Sequence, residues 1–311
     1  MGPDQSDSKA KRPAHFRLCN VSSYTTELLE IHADDPKMHV LFIPGNPGVV
    51  EFYKDFVELL YEFLEGHASI TAIGHTSHTK KNWDRGRLFS LEEQIDHKMD
   101  FIKQELENIE VPIILVGHSV GSYISIDMFR RSLEKVTYCI GLYPFLALNP
   151  QSTKQPIIRK ISASRVLSVA LSLVVASLGF LPSWTLRLIV KNSVGKSWSA
   201  TAVGATCSHL VQYHTMRNVL FMTMTEFRKI TETPDWEFMR EKQEKLAFLF
   251  GVDDHWAPLQ MFEEISKQVP GISLSVESSH IHTFSCTEAG SSFVAKYVAS
   301  LIKNQLLCSR Q

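Results

Sequence analysis

The pentapeptide Gly117-His118-Ser119-Val120-Gly121 constrains this chain more than any other feature. The apolar run Val111-Pro112-Ile113-Ile114-Leu115-Val116 leads straight into it, and a helix-compatible pattern follows through Ser122, Tyr123 and Ile124. A serine held between a buried strand and a helix sits on a sharp, strained turn. Such a turn needs small residues on both flanks and leaves the hydroxyl exposed. That is the position of a nucleophile. The bland alternative, a glycine-rich turn with an incidental serine, does not account for the strand before it and the helix after it.

The rest of the chain alternates in the same way. Short apolar runs at residues 40–43, 70–73, 111–116, 136–142, 246–250 and 272–276 predict interior strands. Their continuous apolar character suits parallel strands covered on both faces. Phe52, Phe56, Leu59, Leu60 and Phe63 fall on one side of a helix. Ser90 followed by Glu93 is a capping box opening a second amphipathic helix over residues 91–106. Residues 146–244 break this rhythm with helix-compatible sequence and no clear strand, and predict a helical cap. The expected organisation is a flexible leader (1–15), a core made of 16–145 and 245–311, and the cap between them.

Acyl transfer from a serine needs three further elements. Two backbone N–H groups should meet the developing oxyanion. Val120, next after the serine, supplies one. The loop Ile43-Pro44-Gly45-Asn46-Pro47-Gly48 supplies the other through Asn46, since Pro47 has no N–H. An ordinary two-proline turn is the competing reading of that loop. The acid should follow the next-to-last strand, in Gly251-Val252-Asp253-Asp254-His255-Trp256-Ala257-Pro258. Asp254 is preferred over Asp253, because successive residues cannot both point at one imidazole. The base should follow the last strand, in Ser279-His280-Ile281-His282. His280 is preferred for lying closer to the strand end, with His282 the alternative. The order Ser, Asp, His is that of an α/β-hydrolase fold with a mostly parallel central sheet and an inserted helical cap.

Composition narrows the classes. The 311 residues carry 32 Lys and Arg against 33 Asp and Glu, for a net charge of −1. A chain without basic excess is not built to neutralise nucleic-acid phosphates. Five scattered cysteines without C-x-x-C spacing suit free thiols in a reducing compartment. The polar N-terminus has no apolar signal region. It matches the myristoylation pattern M-G-x-x-x-[ST], but Pro3 directly after the acceptor glycine argues for a plain leader. His75 and His78 form an H-x-x-H without a third ligand at zinc-like spacing, and there is no dinucleotide or Walker loop. No metal and no cofactor are expected. His118 and His97 are expected to serve packing or hydrogen bonding rather than catalysis.

Together these pieces resemble one family, the lipid droplet-associated hydrolases. The resemblance rests on Ile43-Pro44-Gly45-Asn46-Pro47-Gly48 with Phe52-Tyr53, on Gln94-Ile95-Asp96-His97-Lys98, and on Gly117-His118-Ser119-Val120-Gly121-Ser122-Tyr123. Asp254 with Trp256, and His280, complete it over roughly residues 37 to 305. It implies Ser119 as nucleophile, Asp254 as acid and His280 as base. It also implies esterase activity on neutral lipids or sterol esters, and residence on lipid droplets and the endoplasmic reticulum. Two positions depart from the pattern: His255 stands where the family usually has proline after the acid, and Ser279 where it has proline before the base.

The mean hydropathy of −0.05 conceals one intensely apolar stretch. Residues 166–186 contain no charge, and cations flank them at Arg159, Lys160, Arg165, Arg187, Lys191 and Lys196. A buried cap helix, a bilayer span and a one-sided insertion compete. Spanning would place Ser119 and the acid–base pair on opposite sides of a membrane. Gly179 and Pro182 favour a break and a return to the same surface, and cations suit an anionic cytosolic leaflet. The expected partners are therefore a lipid ester and a droplet monolayer or reticulum surface. A coat protein with little turnover, and acyl transfer to an alcohol by the same residues, are the alternative functions.

Overall fold

The structure, a computed structural model, describes residues 12–193 and 196–308. The myristoylation pattern at residues 2–6 and most of the expected leader lie outside the described residues. Eight strands form one sheet: β1 His15–Val21, β2 Tyr24–Ile31, β3 Met38–Ile43, β4 Ala68–Ile73, β5 Ile113–His118, β6 Val136–Leu142, β7 Leu246–Gly251 and β8 Ser273–Glu277. Their spatial order is β1-β2-β4-β3-β5-β6-β7-β8. From β4 to β8 all neighbours pair in parallel. β1 pairs antiparallel with β2, and β2 antiparallel with β4.

The helices are α1 Lys54–Phe63, α2 Leu91–Glu105, α3 Val120–Arg131, α4 Lys154–Ala163, α5 Arg165–Ser177, α6 Ser183–Ser193, α7 Ala200–Ala205, α8 Tyr213–Lys229, α9 Trp236–Glu241, α10 Leu259–Gln268 and α11 Glu288–Cys308. Apolar residues of α1 and α11 share one core with Val40 and Phe42 of β3. Those of α2, α3 and α10 share a second core with Leu41 and Ile43 of the same strand. Alternate residues of β3 thus enter opposite layers, and every residue of β3, β4, β5 and β7 is buried. Two covered faces explain why these strands read as unbroken apolar runs. The capping box forms: the Ser90 hydroxyl accepts from Glu93 N–H (3.3 Å), and Ser90 N–H donates back to the Glu93 carboxylate (2.8 Å).

Two strands were not legible. β1 and β2 form a hairpin at the sheet edge, and most β1 residues are exposed. An edge strand with one wet face carries no apolar run to detect. The second strand begins only two residues after the first ends, and the described chain before β1 is three residues of irregular structure.

Between β6 and β7 the described residues form α4 to α9 and no strand. The apolar stretch is not one helix: α5 ends at Ser177, a single 3₁₀ turn covers Leu178–Phe180, and α6 starts after Pro182. No single helix among the described residues is long and apolar enough to cross a membrane; α4 and α5 pass only as a pair bent by 100°. The burial of α5 is inverted. Its buried residues are Ser168 and Ser172, while Val166, Leu167, Leu173 and Val174 are exposed. Phe180 (91% exposed) and Trp184 (67%) extend this apolar surface onto the turn and α6.

Candidate active site

In a parallel sheet, the loops leaving the C-terminal strand ends gather at one edge. They part where the chain order reverses. That reversal lies between β3 and β5, which are paired with Ile43 opposite Gly117. The loop after β3 and the turn after β5 are therefore in contact: a Cβ added at Gly45 would come within 3.0 Å of Ser119 Cβ.

Ser119 occupies the turn from β5 into α3 with φ +55° and ψ −124°, a conformation that L-residues rarely hold. Three bonds fix it there. Ser119 N–H donates to Leu142 C=O (2.9 Å), and its C=O accepts from Ser122 N–H (3.0 Å) and Phe145 N–H (3.1 Å). The turn tolerates no side chain on its flanks. A Cβ on Gly117 would lie 2.2 Å from Gly121 O, and one on Gly121 would lie 2.3 Å from Ile43 O. Val120 opens α3, so its N–H is among those that a helix cannot satisfy internally.

Asp254 follows β7 and is buried, whereas Asp253 is exposed. One Asp254 oxygen accepts from Trp256 N–H (2.8 Å) and the other from His282 Nδ1 (2.6 Å). The histidine paired with Asp254 is therefore His282, the alternative of the two, and not the preferred His280. The chain leaving β8 makes a tight turn in which Ser279 and His280 N–H both donate to the Glu277 carboxylate. That turn sends the His280 ring outward onto Phe293, with centroids 5.1 Å apart. Two more residues bring the chain back to Asp254. With Nδ1 engaged, His282 has Nε2 free for the cavity that it lines together with Ser119. The residue before the aligned histidine is Ile281 rather than Ser279, and it is exposed.

His255, the other departure, turns its carbonyl to the cap, accepting from Gln155 Nε2 (2.9 Å) and Asn149 Nδ2 (3.4 Å). The side chain of Asn46 also faces the cap: its Nδ2 lies 3.0 Å from Val219 O, 2.9 Å from Thr223 Oγ1 and 2.9 Å from Glu226 Oε1. Nothing in the sequence pointed to Glu226, which lies on a mixed buried face of α8 that also carries His214, Asn218, Met222, Thr223 and Phe227.

A buried relay joins the three loops. Gly45 N–H donates to Tyr53 Oη (3.1 Å), and the hydroxyl pairs with His118 Nδ1 (2.7 Å). His118 Nε2 pairs with the His282 carbonyl (2.9 Å). A carbonyl only accepts, so the proton is assigned to Nε2, and Nδ1 takes the tyrosine hydrogen. Burial, with His282 alongside, holds His118 far below its ordinary pKa, which keeps this tautomer neutral. Tyr53 and His118 thus tie the loop after β3, the serine turn and the loop that carries His282 together.

The H-x-x-H histidines are buried near the same loop. His78 Nδ1 accepts from Gly48 N–H (2.9 Å), and burial, with Lys98 nearby, pushes its pKa down to about 3. His97, pushed down to about 2 mainly by burial, is neutral as well. Among the described residues, the one cluster with metal-like spacing is His15, Glu30 and His32 at the far sheet edge. There the Glu30 carboxylate is already bound by Arg17 at 2.8 and 3.2 Å.

The cavity over Ser119 measures about 210 Å³. Core residues form its floor, and Trp198, Leu210, Thr223 and Glu226 of the cap region close it. Phe52, Phe145 and Trp256 add aromatic walls, and among the described residues no lysine or arginine lines it.

Solved structures with this fold include haloalkane dehalogenase from Agrobacterium tumefaciens (TM-score 0.69, 11% identity, 94% of this chain and 97% of that one). Epoxide hydrolase from Vigna radiata (TM-score 0.66, 14% identity, 95% and 100%) is another. A soluble variant of monoglyceride lipase from Saccharomyces cerevisiae superimposes at TM-score 0.65 with 12% identity, over 98% and 99% of the chains. The fold is that of the α/β-hydrolases. Curated relatives named lipid droplet-associated hydrolase occur in Dictyostelium discoideum (28% identity, 83% of this chain and 86% of that one) and Gallus gallus (27%, 76% and 75%). The human protein of that name is 24% identical over 76% of this chain and 75% of its own. A model of the same family matches residues 36–285. With the loop after β3, the serine turn and the Asp254 loop all inside that match, the chain belongs to the lipid droplet-associated hydrolase family.

Proposed function

We propose that this protein is a serine ester hydrolase acting on neutral lipid or sterol esters at the cytosolic face of lipid droplets and the endoplasmic reticulum. The observation that carries the reading is the 2.6 Å pairing of Asp254 with His282 in the same site as a serine at φ +55°. In this reaction His282 Nε2 takes the Ser119 proton as Oγ attacks the ester carbonyl. Asp254 holds the imidazole in the required tautomer. The N–H groups of Asn46 and Val120 receive the oxyanion. Collapse expels the alcohol with the proton from His282, and water activated by the same nitrogen releases the acid. A cavity with aromatic walls and without a cation suits an uncharged ester over a phosphate- or carboxylate-bearing one.

Ser119→Ala should abolish both ester hydrolysis and covalent labelling by a fluorophosphonate. Labelling that persisted in the variant would remove Ser119 from the mechanism. A screen across triacylglycerol, sterol ester and short acyl esters, with Ser119→Ala as control, assigns the substrate.

Lipid association is read from the inverted helix. A helix that buries Ser168 and Ser172 and exposes Val166, Leu173 and Val174 is arranged for an apolar exterior. The 3₁₀ turn and Pro182 return the chain to the same side. Replacing Val174, Phe180 and Trp184 together by serine should weaken flotation with phosphatidylcholine-coated triolein droplets about 100-fold, from about 25 cal/mol per Å² of apolar surface. Unchanged flotation would place the contact elsewhere. This surface is independent of the catalytic residues, so a coat protein with little turnover is the second reading. Droplet binding by a wild-type protein that Ser119-directed probes fail to label would favour it.

A further inference from the structure

Glu226 is the one acidic side chain on the cavity wall, and the acyl-transfer scheme gives it no task. It stands on α8 at 4% exposure, facing a space bounded by Phe52, Phe145, Trp198 and Trp256. Oε1 accepts from the Asn46 side chain at 2.9 Å. Oε2 has no hydrogen-bond partner among the described residues.

The surroundings supply nothing to hold a carboxylate. On the cavity wall, His118 is neutral and committed to Tyr53 and the His282 carbonyl, and His282 faces Asp254. Within α8, Lys229 pairs with Glu232, and Arg217 is bonded to Ser168. On α4 and α5, Arg159, Lys160 and Arg165 are exposed. On α2, Lys98 is bonded to Gly74 O, Glu93 to Arg87, and Glu92 and Asp96 to Arg131. His209, in the turn before α8, is held between Glu27 and Glu51. A buried carboxyl without a cation retains its proton, and that proton belongs on the oxygen that is not accepting a bond.

We propose that Glu226 is a hydrogen-bond donor from the cap to the ester bound at Ser119, working as an uncharged carboxylic acid whose Oε2–H faces the ester oxygens. This rests on the acyl-transfer reading above. Its bond to the side chain of Asn46, the residue whose N–H meets the oxyanion, places it on the oxyanion side of the cavity. A neutral donor there strengthens as charge develops on the carbonyl oxygen. A carboxylate there would oppose the same charge.

Burial pushes the Glu226 carboxyl up to about 8, with the Asn46 bond opposing only in part. The active form is the protonated one, so the contribution of Glu226 is full below that value and is lost as pH rises through it. Of the other wall groups, burial raises Tyr53, pushes Cys286 up to about 12, and keeps His118 neutral throughout.

The test is the pH dependence of kcat/KM from pH 6 to 10, measured by pH-stat on a short-chain ester of an uncharged alcohol. Wild type should lose activity tenfold per pH unit above about 8. Glu226→Gln keeps a neutral donor and should abolish that basic limb while staying within about tenfold of wild type at pH 7. Glu226→Leu should lack the limb and fall about 10- to 100-fold in kcat with little change in KM. Fluorophosphonate titration of Ser119 normalises each protein to its folded, competent fraction, which a purely structural effect would lower without reshaping the profile. A wild type that stays flat to pH 10, or a limb retained in Glu226→Gln, overturns the proposal. If Ser119 takes no label in any of the three proteins, the acyl-transfer reading fails first; if labelling is normal and the profiles coincide, the assignment of Glu226 alone is wrong.

Discussion

Replacing His282 by alanine is expected to lower kcat/KM about 10⁴-fold or more and to abolish fluorophosphonate labelling of Ser119, from the usual cost of losing the base of a serine triad. His280→Ala should stay within about threefold of wild type, like other changes away from the reacting groups. The contrast follows from where the two rings go. His282 lies 2.6 Å from Asp254, while His280 packs on Phe293 outside the cavity. Steady-state kinetics with one soluble ester checks both. If His280→Ala inactivated the enzyme and His282→Ala did not, the loop after β8 would have to be rebuilt with His280 facing Asp254. His282→Ala also leaves its backbone carbonyl in place for His118, so the relay to Tyr53 and Gly45 survives, and the loss can be ascribed to the imidazole.

Gly121→Ala is the second large effect. The new methyl would fall 2.3 Å from Ile43 O and 2.5 Å from Pro44 O, both backbone atoms at the end of β3. It cannot be relieved by turning a side chain. Either α3 withdraws and carries Val120 N–H with it, or the oxyanion loop moves. We expect stability to drop by about 3 kcal/mol, at the upper end of overpacking costs. The same displacement should lower kcat/KM about 100-fold through the misplaced oxyanion donor. Gly204→Ala is the matched control. Its methyl meets nothing within 4 Å in α7, so stability should hold or rise by up to about 1 kcal/mol. Urea unfolding midpoints alongside kinetics separate the two consequences. A Gly121→Ala protein with wild-type stability and activity would show that the turn is looser than its geometry.

These two residues also mark what the sequence could convey. The serine turn was legible because its requirements are local: a strand, a forbidden φ and two flanks without room for Cβ, all within five residues. The buried Asp254 was legible for a similar reason, since it accepts from Trp256 N–H two positions on and so is fixed by its own loop. Its histidine partner was not. Choosing between His280 and His282 depends on a turn closed by the Glu277 side chain, which redirects the chain after β8. Distance from the strand end is a poor guide once a turn intervenes. Glu226 was further out of reach, because its partner Asn46 lies 180 positions away and only the packing of cap on core brings them together. Of the hairpin, β1 escaped because it pairs at a wet edge, which leaves no apolar signature, and β2, although largely buried, because Glu27 and Glu30 interrupt its apolar residues. The apolar stretch at 166–186 was plain as composition, but its inversion, with serines inward, is a property of the packed cap alone.

One consequence concerns α8. One side of this helix packs against α4 and against α5, whose outer surface is apolar, and it presents Thr223 and Glu226 to Asn46 in the loop after β3. A single helix therefore touches both the helix that carries the exposed apolar surface and the candidate site. Free energy coupled through such an element is reciprocal. Whatever factor a lipid surface adds to the affinity of the cavity for an ester-like ligand, the filled cavity must add to the affinity of the protein for that surface. Where that factor exceeds one, a protein with its pocket filled would hold to a lipid surface more firmly than an empty one, and dwell time on the lipid would report the state of the pocket.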